Sequence, residues 1–374
     1  MVTGQLPSSP PVKKLRFDFL DGLRGLSALY VVLFHIGRAE HLPSSLSFMT
    51  AWMAHGNTAV AVFIVLSGFC LMLPCVSTGL TRKDFFYRRA RRILPPYYAA
   101  LVITLILILI SSARKQALSS PDTGMSVFNP MNILSHIFLF HNLSPNWSQS
   151  IDPPMWSVAT EWQIYFIMPF ILLPIWKRYG NSVCILAGFA MGLAPLYLIP
   201  ANYHFYWASS WFIGLFACGM AGAVISISEQ PSRIAWKTRL PYLWLSFISL
   251  IICMYISQVR LHILLSPWLL DACIGVTSVF FILACVQAKC RVGNKTAPLY
   301  LRICSHSLSR RLGDISYSLY LMHMPFWWGL DFILKRLSLS PVLEEFARLF
   351  VCLPIIILLC YGFHLIFEKR FMNR

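Results

Sequence analysis

Residues 17–35 read Phe17-Asp18-Phe19-Leu20-Asp21-Gly22-Leu23-Arg24-Gly25-Leu26-Ser27-Ala28-Leu29-Tyr30-Val31-Val32-Leu33-Phe34-His35. A helix crosses the hydrocarbon of a bilayer with about 20 mostly apolar residues, and this run is close to that length while carrying an acid, a guanidinium and an imidazole. At roughly 100° per residue, Asp21, Arg24 and His35 fall within about a 60° sector of one helical face. The stretch therefore reads as a membrane helix with a polar stripe. Asp21 and Arg24 are spaced to pair, and His35 sits about 16 Å further along the axis than Arg24.

The rest of the chain repeats the apolar pattern. By length and hydropathy the candidate spans are approximately 17–37, 56–76, 93–111, 155–176, 181–199, 206–228, 240–259, 264–288, 312–334 and 344–367, about ten in all. Of the 374 residues 57% are hydrophobic and 12% charged, and the mean hydropathy is +0.64. A soluble fold with that composition would expose large apolar patches, whereas lipid solvates them. The expectation is an all-α, polytopic membrane protein.

The chain carries 31 Lys and Arg against 14 Asp and Glu. Most of the basic residues stand in short hinges between apolar runs, which argues for membrane topology rather than a nucleic-acid face. With the N-terminus inside, 23 of them lie on the cytoplasmic side and 7 on the other, with Arg24 left within the first span. Both termini are then cytoplasmic. We expect a cytoplasmic tail at 1–16, without the pattern of a removable signal peptide, and one membrane domain at 17–374. Residues 131–143 are too short to span and read as a half-helix or interfacial segment in the longest outer connection. The 11 cysteines lie mostly in apolar runs and read as buried thiols, not a disulfide framework.

Ionisable groups inside membrane helices are costly and so mark functional candidates, although many only pair with one another. Arg88, Arg89, Arg91 and Arg92 precede Ile93-Leu94-Pro95-Pro96. They read either as topology determinants or as a phosphate clamp, with Arg89 and Arg92 on one face. Further on, Trp156-Ser157-Val158-Ala159-Thr160-Glu161 puts Ser157 and Glu161 one turn apart, and Ser316, Tyr320 and His323 form another stripe. Each set suits either helix-to-helix bonding or a site. His136, His141 and Asp152 match no recognised metal-ligand spacing.

Taken together these segments resemble the acyltransferase-3 family of integral membrane O-acyltransferases, from Phe17 to about Arg370. The resemblance rests on Asp21-Gly22-Leu23-Arg24-Gly25 with His35, on Ser67-Gly68-Phe69, on Arg89, Arg92, Ile93 and Pro95, on Trp156, Ser157 and Glu161, and on Ser316, Tyr317, Tyr320, Leu321, His323 and Pro325. It implies transfer of an acyl group, most often acetyl, from cytoplasmic acetyl-CoA to a hydroxyl, with no metal. It also implies that His35 is catalytic, that Asp21 and Arg24 belong to an essential motif, that Arg89 and Arg92, with Arg88 beside them, meet the CoA phosphates, and that Glu161 and His323 shape the site with Trp156, Ser157, Ser316 and Tyr320.

The chemistry agrees with that resemblance, since a neutral imidazole is the usual base for a hydroxyl near neutral pH, with a covalent acyl-histidine route as the alternative. An adjacent carboxylate such as Glu161 can orient it, and a water-accessible funnel is expected to connect the arginines to His35. The expected acceptor is a cell-envelope glycan or glycolipid such as lipopolysaccharide O-antigen, placing the enzyme among the lipids of a bacterial cytoplasmic (inner) membrane. With no fused extracytoplasmic domain expected, either the acceptor reaches the membrane site directly, the simpler option, or a separate partner takes over. A small natural product such as a macrolide is the alternative acceptor, and a transporter the alternative class, although the paired broken-helix repeats common in transporters are not visible. A homo-oligomer is compatible with this reading, and a nucleic-acid partner is not.

Overall fold

The computed structural model describes residues 17–37, 52–77, 82–110, 127–199, 205–227, 240–258, 267–291 and 297–372. The tail at 1–16 and several residues of the charge tally, among them Arg38, Arg114, Lys115 and Arg260, lie outside them. Among the described residues the secondary structure is helical, without strands.

In chain order the helices are α1 (Asp18–Ile36), α2 (Gly56–Ser77), α3 (Arg82–Ile110), α4 (Pro130–Ile137), α5 (Met155–Ile167), α6 (Leu173–Leu198) and α7 (Phe212–Ile227). There follow α8 (Tyr242–Gln258), α9 (Pro267–Arg291), α10 (Leu299–Ser305), α11 (Ser307–Asp314), α12 (Ser316–Arg336), α13 (Pro341–Ala347) and α14 (Leu353–Phe363). Among the described residues, the apolar runs of the sequence are mostly helical. Among the described residues, 7 helical stretches are long and apolar enough to cross a membrane. One of these runs 44 residues, Met155–Leu198. It breaks at Gly180, whose φ of 82° and ψ of −170° are open to glycine but strained for side chains, between the stretches 155–176 and 181–199. Helix α12 falls outside the seven, and α8 is apolar only over the shorter stretch Tyr242–Tyr255.

In lipid, helices associate through close packing, and small residues let backbones approach. The most extensive pairing is α2 on α7, where a Cβ on Gly68 would lie 2.1 Å from the Phe216 carbonyl oxygen and one on Gly219 equally close to that of Val65. Helix α1 occupies the centre, packed by α2, α10, α11 and α12. The outward faces are apolar: Trp244, Ile251 and Tyr255 on α8, Ile106 and Ile110 on α3, and Leu358 on α14 are exposed, as lipid contact requires.

Residues 131–143 form the short helix α4, with the Asn129 side chain accepting the Met131 N–H at 2.9 Å, and a 3-10 turn at His141–Leu143. The segment is tied inward. Tyr97 donates to the His136 carbonyl at 2.9 Å, and Gln163 to that of Leu139 at 2.9 Å. Elsewhere, Arg348 is buried among Asp331, Glu344 and Glu345, so this guanidinium is part of the packed interior and not a free loop charge.

Candidate functional site

Helix α1 starts extended at Phe17 and lays Asp21 and Arg24 along the wall of a cavity of about 510 Å³. That volume suits a sizeable organic ligand. From α2 come Phe63, Ser67 and Cys70; from α3, Arg89 and Arg92; from α5, Ser157, Glu161 and Tyr165; and from α12, Ser316, Tyr317 and Tyr320. Five helices that the sequence presents separately thus converge on one chamber. Their spacing explains the convergence: Arg89 and Arg92, Ser157 and Glu161, and Ser316 and Tyr320 each sit about one turn apart on a shared face.

The polar groups are bonded to one another. Arg24 Nη1 lies 3.2 Å from Asp21 Oδ1, and Nη2 donates toward Cys70 Sγ at 3.5 Å. Glu161 Oε1 accepts from the Ser67 hydroxyl and from the Tyr165 phenol, each at 2.5 Å. Hydrogen bonds to an ionised acceptor are the short, strong ones. Tyr317 donates to the Ile93 carbonyl at 3.0 Å, tying α12 to the arginine-bearing stretch of α3. With Arg24, Arg89 and Arg92 against Asp21 and Glu161, the chamber holds more positive than negative charge and suits an anion with several phosphate oxygens.

His35 is not on the wall. It stands beyond the chamber's far end, half-buried, with Nδ1 at 3.1 Å from Nε2 of the fully buried His323. The two rings are 5.0 Å apart between centroids, and Phe34 packs edge-on against His35. The chamber's lining ends short of His35, on the Tyr320 side. Tyr320 and Ser157 close the passage with a 2.6 Å hydrogen bond between their hydroxyls, and Phe63 packs edge-on against Tyr320. The closure is about one helical turn thick, since Tyr320 lines the chamber and His323 follows it by three residues.

Other expectations divide by position. Glu161 was the sequence's choice to orient the imidazole, but its described partners are Ser67 and Tyr165, and the side chain touching a His35 nitrogen is His323. Arg88 is exposed and off the chamber wall, because one residue before Arg89 rotates it by about 100°. Trp156 packs toward α7, with its ring 6.0 Å from that of Phe212. The Ser316 hydroxyl, at the wall, donates to the Gly313 carbonyl at 2.8 Å.

Sequence reasoning did not pick out Tyr165, although its place one turn beyond Glu161 was a signal. It also passed over Phe63 and Glu368. Glu368 is buried and accepts from Ser318 Oγ at 2.5 Å, and His364 Nδ1 lies 2.8 Å from it. The segment His364–Glu368 packs against α3, the helix that carries Arg89 and Arg92.

In comparison with known proteins, the family described as acyltransferase domain matches residues 17–365, which include every site residue above except Glu368. No curated protein and no solved structure matches the chain.

Proposed function

This chain belongs to the acyltransferase-3 family, and from that premise we propose that it transfers an acetyl group from acetyl-CoA to a hydroxyl of a cell-envelope glycan or glycolipid across a bacterial inner membrane. The observation that carries the reading is the paired arrangement along α1: an arginine-walled chamber at one end and a histidine pair about 16 Å further along the axis.

In this reading Arg89 and Arg92, with Arg24 deeper in, bind the phosphates of CoA from the cytoplasmic side. The pantetheine arm then runs toward the closure at Tyr320 and Ser157. Guanidinium forks suit phosphate, and burial strengthens the contact. Glu161 holds Ser67 and Tyr165 in place and, with Asp21, balances the arginines when the chamber is empty. The acceptor comes from the opposite side, where His35 is half-buried. His35 takes the acceptor's proton as the oxygen attacks the thioester carbonyl.

The test is transfer of labelled acetyl from acetyl-CoA, using membrane vesicles that contain the protein and an envelope glycolipid extract. His35→Ala is expected to lower the rate by about 10²- to 10⁴-fold, the usual worth of a general base. Labelled glycolipid formed at the parent rate by His35→Ala rejects the mechanism. Uptake of acetyl-CoA with no label on any glycolipid rejects the enzyme reading.

A further inference from the structure

The proton positions in the histidine pair follow by elimination. His323 Nδ1 lies 3.0 Å from the Leu319 carbonyl oxygen and 2.9 Å from that of Tyr320. Carbonyl oxygens only accept, so Nδ1 carries the hydrogen and Nε2 of the neutral ring carries a lone pair. His35 Nδ1 lies 3.1 Å from that lone pair and 2.9 Å from the Val31 carbonyl oxygen. Both neighbours accept, so His35 is protonated at Nδ1. Its Nε2 is left as the basic nitrogen.

We propose that His323 is a positioning residue for His35, taking the place that a carboxylate holds in a Ser-His-Asp triad. The proposal rests on the reading of His35 as the base. In the reaction the acceptor's O–H proton passes to His35 Nε2 as its oxygen bonds to the thioester carbonyl carbon. The carbon–sulfur bond breaks, and the thiolate takes the proton from Nε2. The hydrogen on Nδ1 stays in place throughout, donating to His323 Nε2 and steadying the imidazolium. His323 remains neutral and is held at its far nitrogen by two carbonyls of its own helix.

The environment favours a neutral partner. His323 is 0% exposed, and an ionised carboxylate there would need its own compensating partners, because burying a charge is costly. A lone pair fixed by backbone carbonyls avoids that cost. Glu161 is already held by two hydroxyls one helix away.

Two substitutions separate this role from simple packing. His323→Leu removes the acceptor, and His323→Gln keeps an acceptor oxygen on a side chain of similar reach. With acetyl-CoA and the glycolipid extract, His323→Leu is expected to lower kcat by about 10- to 100-fold, as loss of a group that orients a reactive one does. KM for acetyl-CoA stays near the parent value, and His323→Gln recovers most of kcat. Equal loss in both variants, or a raised KM at parent kcat, overturns the proposal.

Imidazole ¹⁵N shifts of the parent protein in micelles, assigned by difference with His35→Gln, read the tautomer directly. A neutral His35 protonated at Nε2 overturns the proposal even where the His323 variants fail to fold. An active His35→Ala removes the base reading and this one together. An inactive His35→Ala beside a fully active His323→Leu removes only the positioning role.

Discussion

His136 and His141 stack face to face, with centroids 3.9 Å apart and planes 7° from parallel, and both are 0% exposed. Two imidazoles so placed cannot both charge. Burial holds His136 down to about 4, and burial together with the neighbouring His136 holds His141 well below its ordinary value. An unfolded histidine titrates near 6.5, so between about 6.5 and 4 the unfolded chain binds more protons than the folded one. The stability these rings allow is therefore complete above pH 6.5 and falls as pH drops toward 4, by about 1.4 kcal/mol per pH unit for each ring. Thermal denaturation in detergent should show Tm falling through that window, and His136→Gln should flatten the slope. A parent Tm that stays level from pH 7 to 4.5 rejects the argument. The same segment also holds His136 by Nδ1 to the Asn132 carbonyl at 2.9 Å.

At the scale of the helix, the glycines of Asp21-Gly22-Leu23-Arg24-Gly25 are spacers. A Cβ on Gly25 would lie 2.4 Å from the Gly313 nitrogen, and one on Gly313 would lie 2.0 Å from the Asp21 carbonyl oxygen. Backbone meets backbone, and no side chain can move aside. Gly313→Ala must push α1 off α11, shifting Asp21 and Arg24 at the chamber wall. We expect a lower Tm and loss of transfer activity together. Gly329→Ala, where a Cβ meets nothing within 4 Å, should instead be neutral or stabilise by about 0.5–1 kcal/mol. Comparable damage from both substitutions defeats the spacer argument. This element also marks the limit of what the chain reveals on its own. Periodicity placed Asp21, Arg24 and His35 on one face and located every apolar run, because both signals are local to a helix. Which helix faces which is not local. One dimension offered Glu161 as the partner of His35, and the crossing of α1 with α12 puts His323 there instead. Arg88 and Trp156 were carried in beside neighbours one turn or one residue away, and the closure by Tyr320, Ser157 and Phe63 draws on three helices that no single-helix pattern relates.

For the whole molecule, the proposed reaction assigns its two sides to the two ends of α1. The chamber lies at the end where Arg82, Lys83, Arg88 and Arg91 are exposed, the end the positive-inside rule assigns to the cytoplasm. His35 lies toward the other end, beyond the hydrogen bond between Tyr320 and Ser157, which the proposed reaction needs to part before donor and acceptor meet. Cys70 reports on this arrangement, since its thiol lines the chamber beside Arg24 and is only half-buried. A membrane-impermeant maleimide should therefore modify Cys70 in inside-out vesicles and leave it unmodified in right-side-out ones, read by mass spectrometry of the peptide so that the exposed Cys290 does not confuse the count. CoA at saturating concentration should slow the modification by about tenfold or more, because occupancy at ten times Kd leaves roughly a tenth of the chambers open. Arg89→Ala combined with Arg92→Ala should abolish that protection, the rate with CoA being compared with the same variant's rate without it, because neighbouring cations also set the thiolate fraction. Modification from the right-side-out face would reverse the orientation and place the donor outside, and protection that survives loss of both arginines would move the phosphate contacts to another part of the protein.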